Sequence, residues 1–132
     1  MNERIVEILR TGKVQKDLPR VVAALREFDE DDLFETLFPL SVKNQTVGTP
    51  VAFAAYALDQ LNPKCRLTVR QAVEALLPTW DISIQEVVYY LSKQFGTRSL
   101  LEALKERASD VDGNTAVRLE TMAYWASVYA KL

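Results

Sequence analysis

Apolar and polar positions along this chain follow a helical rhythm almost throughout. Leu18, Val21, Val22 and Leu25 form one set, Val51, Ala54, Ala55 and Leu58 a second, and Ile84, Val87, Val88 and Leu91 a third. Within each set the spacing is i, i+3, i+4, i+7, which puts all four side chains on one stripe of an α-helix. Successive sets stand 33 residues apart, from 18 to 51 and from 51 to 84. Equal spacing with room for a second helix between copies predicts stacked helical hairpins. The period-bearing helices are expected to lead each pair, because the intervening stripes hold no constant spacing. Phe34/Leu37 and Val73/Leu76 lie 39 apart, whereas Leu76 and Leu104 lie 28 apart.

The start and stop signals divide the chain into about eight helices. A short first helix over 3–11 turns Ile5, Ile8 and Leu9 inward and ends at Gly12. Asp17 is the expected N-cap of the second, with Pro19 in its first turn. Asp31 or Asp32 is expected to cap a third helix, which buries Leu33, Phe34, Leu37 and Phe38 and stops at Pro39. The segment 39–48 lacks helical periodicity, and Thr49-Pro50 then opens a nearly all-apolar helix that becomes the predicted centre of the fold. Asn62-Pro63 breaks it, Thr68 caps a fifth helix and Pro78 ends that one. Ser83 and Glu86 have capping-box spacing at the head of a sixth helix running to Gly96. Thr97 or Ser99 opens the seventh, with Ser99 and Glu102 again at capping-box spacing. After a polar turn over 109–114, Asn114 or Thr115 caps the last helix. No segment alternates as a half-buried strand would. The predicted fold class is all-α, one domain over 1–132, built as a short solenoid or a compact bundle.

In this alternation of paired helices, residues 16–108 resemble HEAT-like helical-repeat proteins. That resemblance implies antiparallel hairpins stacked side by side. Two shorter stretches are similar to ankyrin repeats. Gly48-Thr-Pro-Val-Ala-Phe-Ala-Ala55 matches the Thr-Pro-Leu-His-x-Ala opening of an ankyrin unit, and Asp112-Gly-Asn-Thr-Ala-Val117 its turn and cap. Both lack the histidine, and Val69 begins its helix beyond where an ankyrin outer helix would start. Ordinary N-cap chemistry accounts for both.

Composition narrows the chemistry. With 132 residues, 48% apolar and 26% charged, the chain can bury a core of its own. Its formal net charge of −2 offers no global attraction for nucleic acid or anionic membrane, and neither is an expected partner. No apolar run approaches the roughly 18 residues of a membrane span. Met1-Asn2-Glu3-Arg4 lacks the layout of a secretion signal, and the lone Cys65 fits a reducing compartment, so the expected location is cytoplasmic. There is no histidine. Its absence removes the commonest general base and transition-metal ligand, so neither cofactor nor metal is expected and enzymatic activity is disfavoured.

Several constellations carry alternative readings. Asp110-x-Asp112-x-Asn114 begins like a calcium loop, yet Gly113 falls at loop position 4 and Thr121 at position 12, which favours a capped turn. Cys65 sits between Lys64 and Arg66, whose charges would promote a thiolate, but no histidine could act as its base. Glu27, Asp29, Glu30, Asp31, Asp32 and Glu35 form an acidic run that reads either as a solvated turn or as a docking patch. Lys13, Lys16 and Arg20, like Lys64, Arg66 and Arg70, lack the aromatic interleaving of a nucleic-acid site. Tyr56 and Tyr89 are 33 apart, and Tyr124, Trp125 and Tyr129 crowd the last helix, where Tyr124 is expected to be partly exposed.

The function expected from these readings is non-enzymatic binding of another protein, as an inhibitor, adaptor or immunity-type protein. Asp31, Asp32, Glu35, Glu74, Glu102 and Glu106 would form an acidic strip on the second helices and steer a basic partner. The alternative is a small-molecule sensor whose pocket is walled by Phe53, Tyr56, Tyr89 and Tyr90.

Overall fold

The computed structural model describes residues 2–42, 51–109 and 112–132. Among them are eight α-helices and no strand: α1 (Glu3–Arg10), α2 (Leu18–Leu25), α3 (Glu30–Val42), α4 (Val51–Leu61), α5 (Val69–Leu76), α6 (Gln85–Phe95), α7 (Thr97–Arg107) and α8 (Gly113–Ala130). A single 3-10 turn, Gln15–Asp17, leads into α2. The all-α class follows from the periodicity. The expected Thr49-Pro50 start, and the Asp110 end of the calcium-like turn, lie outside the described residues.

The even-numbered helices form a continuous layer in which α2 packs on α4, α4 on α6 and α6 on α8. The odd-numbered helices lie across it, α1 against α3 and α5 against α7. Hairpins α1/α2, α3/α4, α5/α6 and α7/α8 join the two. The period-bearing helices α2, α4 and α6 therefore close their pairs rather than lead them. Their stripes face the core: Val21, Leu25, Ala54, Ala55, Leu58, Val87, Val88 and Leu91 are all buried. A fourth copy of the stripe stands on α8 as Leu119, Met122, Ala123 and Ala126, 35 residues beyond the third set. α4 is central as expected, but α6 shares that place, touching α3, α4, α5, α7 and α8.

Pro39 does not stop α3, which runs three residues past it. The ring removes one helical N–H, a defect of about 3 kcal/mol in an isolated helix. Beyond it Leu40, Ser41 and Val42 are buried, and the Ser41 hydroxyl donates to the Leu37 carbonyl at 2.7 Å. Core burial of that last turn offsets the proline. The helix starts also differ in detail. Glu30 opens α3, and the Asp29 carboxylate, not Asp31 or Asp32, accepts from the Asp31 N–H. Asp17 stands at the N-cap of α2 as expected, but its carboxylate turns back to accept from the Lys13 and Val14 N–H groups at 2.9 and 3.2 Å and makes no cap bond to the helix. Asp112, not Asn114 or Thr115, caps α8 by accepting from the Thr115 N–H at 2.8 Å. Thr68 caps α5 as expected and exchanges hydrogen bonds with Gln71 as a capping box. The box expected at Ser83 and Glu86 is absent, because Ser83 bonds the Asp81 carboxylate through both its N–H and its hydroxyl. Ser99 and Glu102 likewise both lie inside α7, whose N-cap is Gly96 at φ 87°.

Candidate protein-docking edge

Residues predicted as one acidic strip fall on the odd layer, but most of them do not present bare charge. Arg66 pairs with Asp31, its Nε donating at 2.6 Å. Arg70 reaches Glu106 at 2.5 Å, Arg107 pairs with Glu74, and Arg98 meets Glu102 at 3.3 Å. The Asp32 carboxylate accepts from the Asn2 side chain at 3.4 Å, while Glu35 is exposed on α3. The shallow groove between α5 and α7, lined by Arg70, Val73, Glu74, Ala103, Glu106 and Arg107, is therefore crossed by two ion pairs. Sequence reading missed the roles of Arg66, Arg70, Arg98 and Arg107 as partners of these acids. The signal was present, since Glu74 and Arg107 are one repeat period, 33 residues, apart.

Nor do the four walls of the expected pocket converge. Phe53 approaches Gly12 and Val21, where a Cβ on residue 12 would stand 3.3 Å from both side chains. Tyr56 borders a depression formed with Gln15, Lys16, Leu18 and Pro19. Tyr90 is fully buried, and its hydroxyl donates to the Pro63 carbonyl at 2.7 Å. There it pins the segment after α4 onto α6, together with Gln94, whose side-chain oxygen accepts from the Cys65 N–H at 2.9 Å. Cys65 is buried beside Tyr90, and burial raises its thiol pKa, the reverse of the activation its basic neighbours suggested. Tyr89 alone of the four joins a surface constellation.

That constellation spans α4, α6 and α8. On α6, Glu86, Tyr89 and Lys93 follow one another on one face at i, i+3 and i+7. Across from Lys93, α4 supplies the buried Asp59: the ammonium sits 2.7 Å from its carboxylate and donates to its backbone carbonyl at 3.0 Å. Opposite Tyr89, α8 supplies Tyr129, with ring centroids 5.4 Å apart, and Trp125, nearly perpendicular at 6.5 Å. Tyr124 packs on Trp125 at 5.1 Å and is 60% exposed. The edge is completed by Ile82, 42% exposed, whose carbonyl accepts from the Trp125 indole at 2.9 Å. Trp80, in the loop between α5 and α6, is buried, its indole donating to the Ile84 carbonyl at 3.0 Å. Burial, then the Asp59 carboxylate, holds the Glu86 carboxyl above the usual glutamate range. Burial likewise raises Tyr89, with Glu86 and Asp59 adding to it.

Asp59 and Lys93 escaped the sequence reading because nothing local distinguishes them from solvated charges, and Glu86 was read only as a capping-box partner of Ser83. The tyrosines did leave a trace. Counting from the first residue of each stripe, Tyr56, Tyr89 and Tyr124 occupy the same position on α4, α6 and α8. The change of step from 33 to 35 hides the third. Comparison with known proteins returns no matching family model, no matching curated protein and no matching solved structure. Among the described residues no helix is long and apolar enough to cross a membrane.

Proposed function

We propose that this chain is a non-enzymatic protein-binding module, a HEAT-like stack of hairpins that docks a partner through the α6–α8 edge. The observation that carries this reading is the joined cluster of Tyr89, Tyr124, Trp125 and Tyr129 with exposed Ile82, at the last helix of the even layer. Clustered tyrosine and tryptophan favour protein recognition because each combines a large apolar surface with a polar tip at low entropic cost. Exposed aromatic area of this kind is unfavourable in water and gains when a partner covers it. The α3/α5/α7 face fits a docking role less well, since most of its acids already hold arginines. An inhibitor, adaptor or immunity-type role in the cytoplasm accords with this reading.

A small-molecule sensor draws less support, because Phe53, Tyr56, Tyr89 and Tyr90 point to separate surroundings. The test places a photo-reactive amino acid at Tyr124 or, as a control, at Glu35, and irradiates native lysate. A discrete adduct from position 124 and none from 35 supports the edge. The opposite pattern moves the interface to the acidic layer.

A further inference from the structure

The aromatic edge has an acidic residue that no cation among the described residues pairs with. Glu86 lies one turn from Tyr89 on the same α6 face. Glu86 is half-buried and forms no ion pair among the described residues, while the nearby Asp59 carboxylate adds to the rise in its pKa. Lys93, the cation on this face, is committed to Asp59 through both carboxylate and carbonyl. On the α5–α7 face, by contrast, Glu74 and Glu106 each hold an arginine.

We propose, building on the docking reading above, that this edge seats an arginine side chain of a basic partner, with its guanidinium against Glu86 and over the ring of Tyr89 or Tyr129. Three features select that chemistry. A partly buried carboxylate without a counter-charge gains more from a cation than an exposed one does, because its water is already partly stripped away. Tyr89, Tyr129 and Trp125 are each only partly buried, so the part of their rings left open beside Glu86 is π surface of the kind a flat cation stacks on. Guanidinium also binds carboxylate as a fork and stacks on rings, whereas the compact, strongly hydrated ammonium of lysine does neither as well. Charge complementarity thus commits the edge to a basic segment rather than to a second copy of this acidic chain.

The experiment titrates isotope-labelled protein with a hexa-arginine peptide and with its citrulline counterpart, which keeps the shape and loses the charge. Binding of the arginine peptide shifts the Trp125 indole N–H and the α6 and α8 amides, and the citrulline peptide shifts neither. Glu86→Gln weakens binding by about tenfold, the loss of one charge-assisted contact, whereas Glu35→Gln, which removes the same charge from α3, changes it less than about twofold. Tyr89→Leu weakens binding as well, keeping apolar bulk and losing the π face. The Glu86 carboxyl titration, followed by its side-chain carbon shift, moves to lower pH when the peptide is bound. Equal weakening by the Glu86 and Glu35 variants, or shifts centred on α3, α5 and α7, overturns the proposal. If Tyr124 cross-links a partner whose affinity ignores Glu86→Gln, the cation site falls and the docking edge stands. If Glu86-dependent peptide binding persists without any Tyr124 adduct, the docking edge falls and the cation site stands.

Discussion

The α5–α7 face and the α6–α8 edge both carry carboxylates, to opposite effect. On the first, Arg70–Glu106 and Arg107–Glu74 bridge neighbouring helices, with Arg98–Glu102 along α7 and Arg66–Asp31 beside them. Exposed pairs of this kind each contribute about 0–1 kcal/mol to stability, but they cancel one another's field at a distance. On the second, Lys93 is drawn inward to Asp59, leaving Glu86 without an ion pair among the described residues, one turn from Tyr89. Acidic residues in a sequence are therefore no measure of available negative charge. What matters is where the nearest cation ends up, and that depends on which helices become neighbours.

Both surfaces rest on a shared core, so the largest effects come from beneath them. Trp80→Ala should cost about 3–5 kcal/mol, as a 2%-exposed indole leaves a cavity and loses its bond to Ile84. It should also disturb the aromatic edge selectively, because Ile82, which holds Trp125, lies on the same loop. Denaturant unfolding and near-UV circular dichroism read the two effects, and an unchanged near-UV band would separate the edge from its support. Leu58→Ala should cost about 2–5 kcal/mol, in the lower half if the surrounding alanines close in. A loss below about 0.5 kcal/mol would deny α4 its central place.

Removing charge from the paired face should matter far less. The double variant Glu74→Gln with Glu106→Gln should lower stability by no more than about 1 kcal/mol, because both ion pairs are exposed. A loss above about 2 kcal/mol would mean that the bridges, rather than Val73 and Leu76 below them, hold α5 to α7.

The smallest effect has the opposite sign. Because its folded-state pKa is raised, Glu86 binds its proton more tightly folded than unfolded. The contribution of Glu86 to stability should therefore fall as pH rises from the ordinary glutamate value through the raised one. Glu86→Gln, which has nothing to ionise, should match wild type in acid and be more stable at neutral pH, by less than about 1 kcal/mol. Thermal melts across that range test this. A variant less stable than wild type at neutral pH would show that Glu86 already has a favourable partner.

Most of the fold was legible because helix formation is written locally. The stripes on α2, α4 and α6 point inward as their spacing requires, Thr68 caps α5, and Asn62, at φ 49°, ends α4 where the Asn-Pro pair predicted. Less of the edge was legible. Tyr89, Tyr124, Trp125 and Tyr129 stood out as aromatic, whereas Asp59 and Lys93 looked like any solvated charge and Glu86 like a helix cap.

Backbone periodicity and capping chemistry operate over three or four residues, so the chain alone determined that it is helical and which stripe of each helix is inward. Tertiary structure decided the rest, through contacts about 30 or more residues apart that no local window contains. Burial of Leu40, Ser41 and Val42 carries α3 past Pro39, where local propensity ends a helix. Side-by-side packing of α5 and α7 turns an acidic strip into ion pairs. Packing of α8 against α6 brings Tyr129 and Trp125 to Tyr89, and packing of α6 against α4 draws Lys93 to Asp59 and away from Glu86.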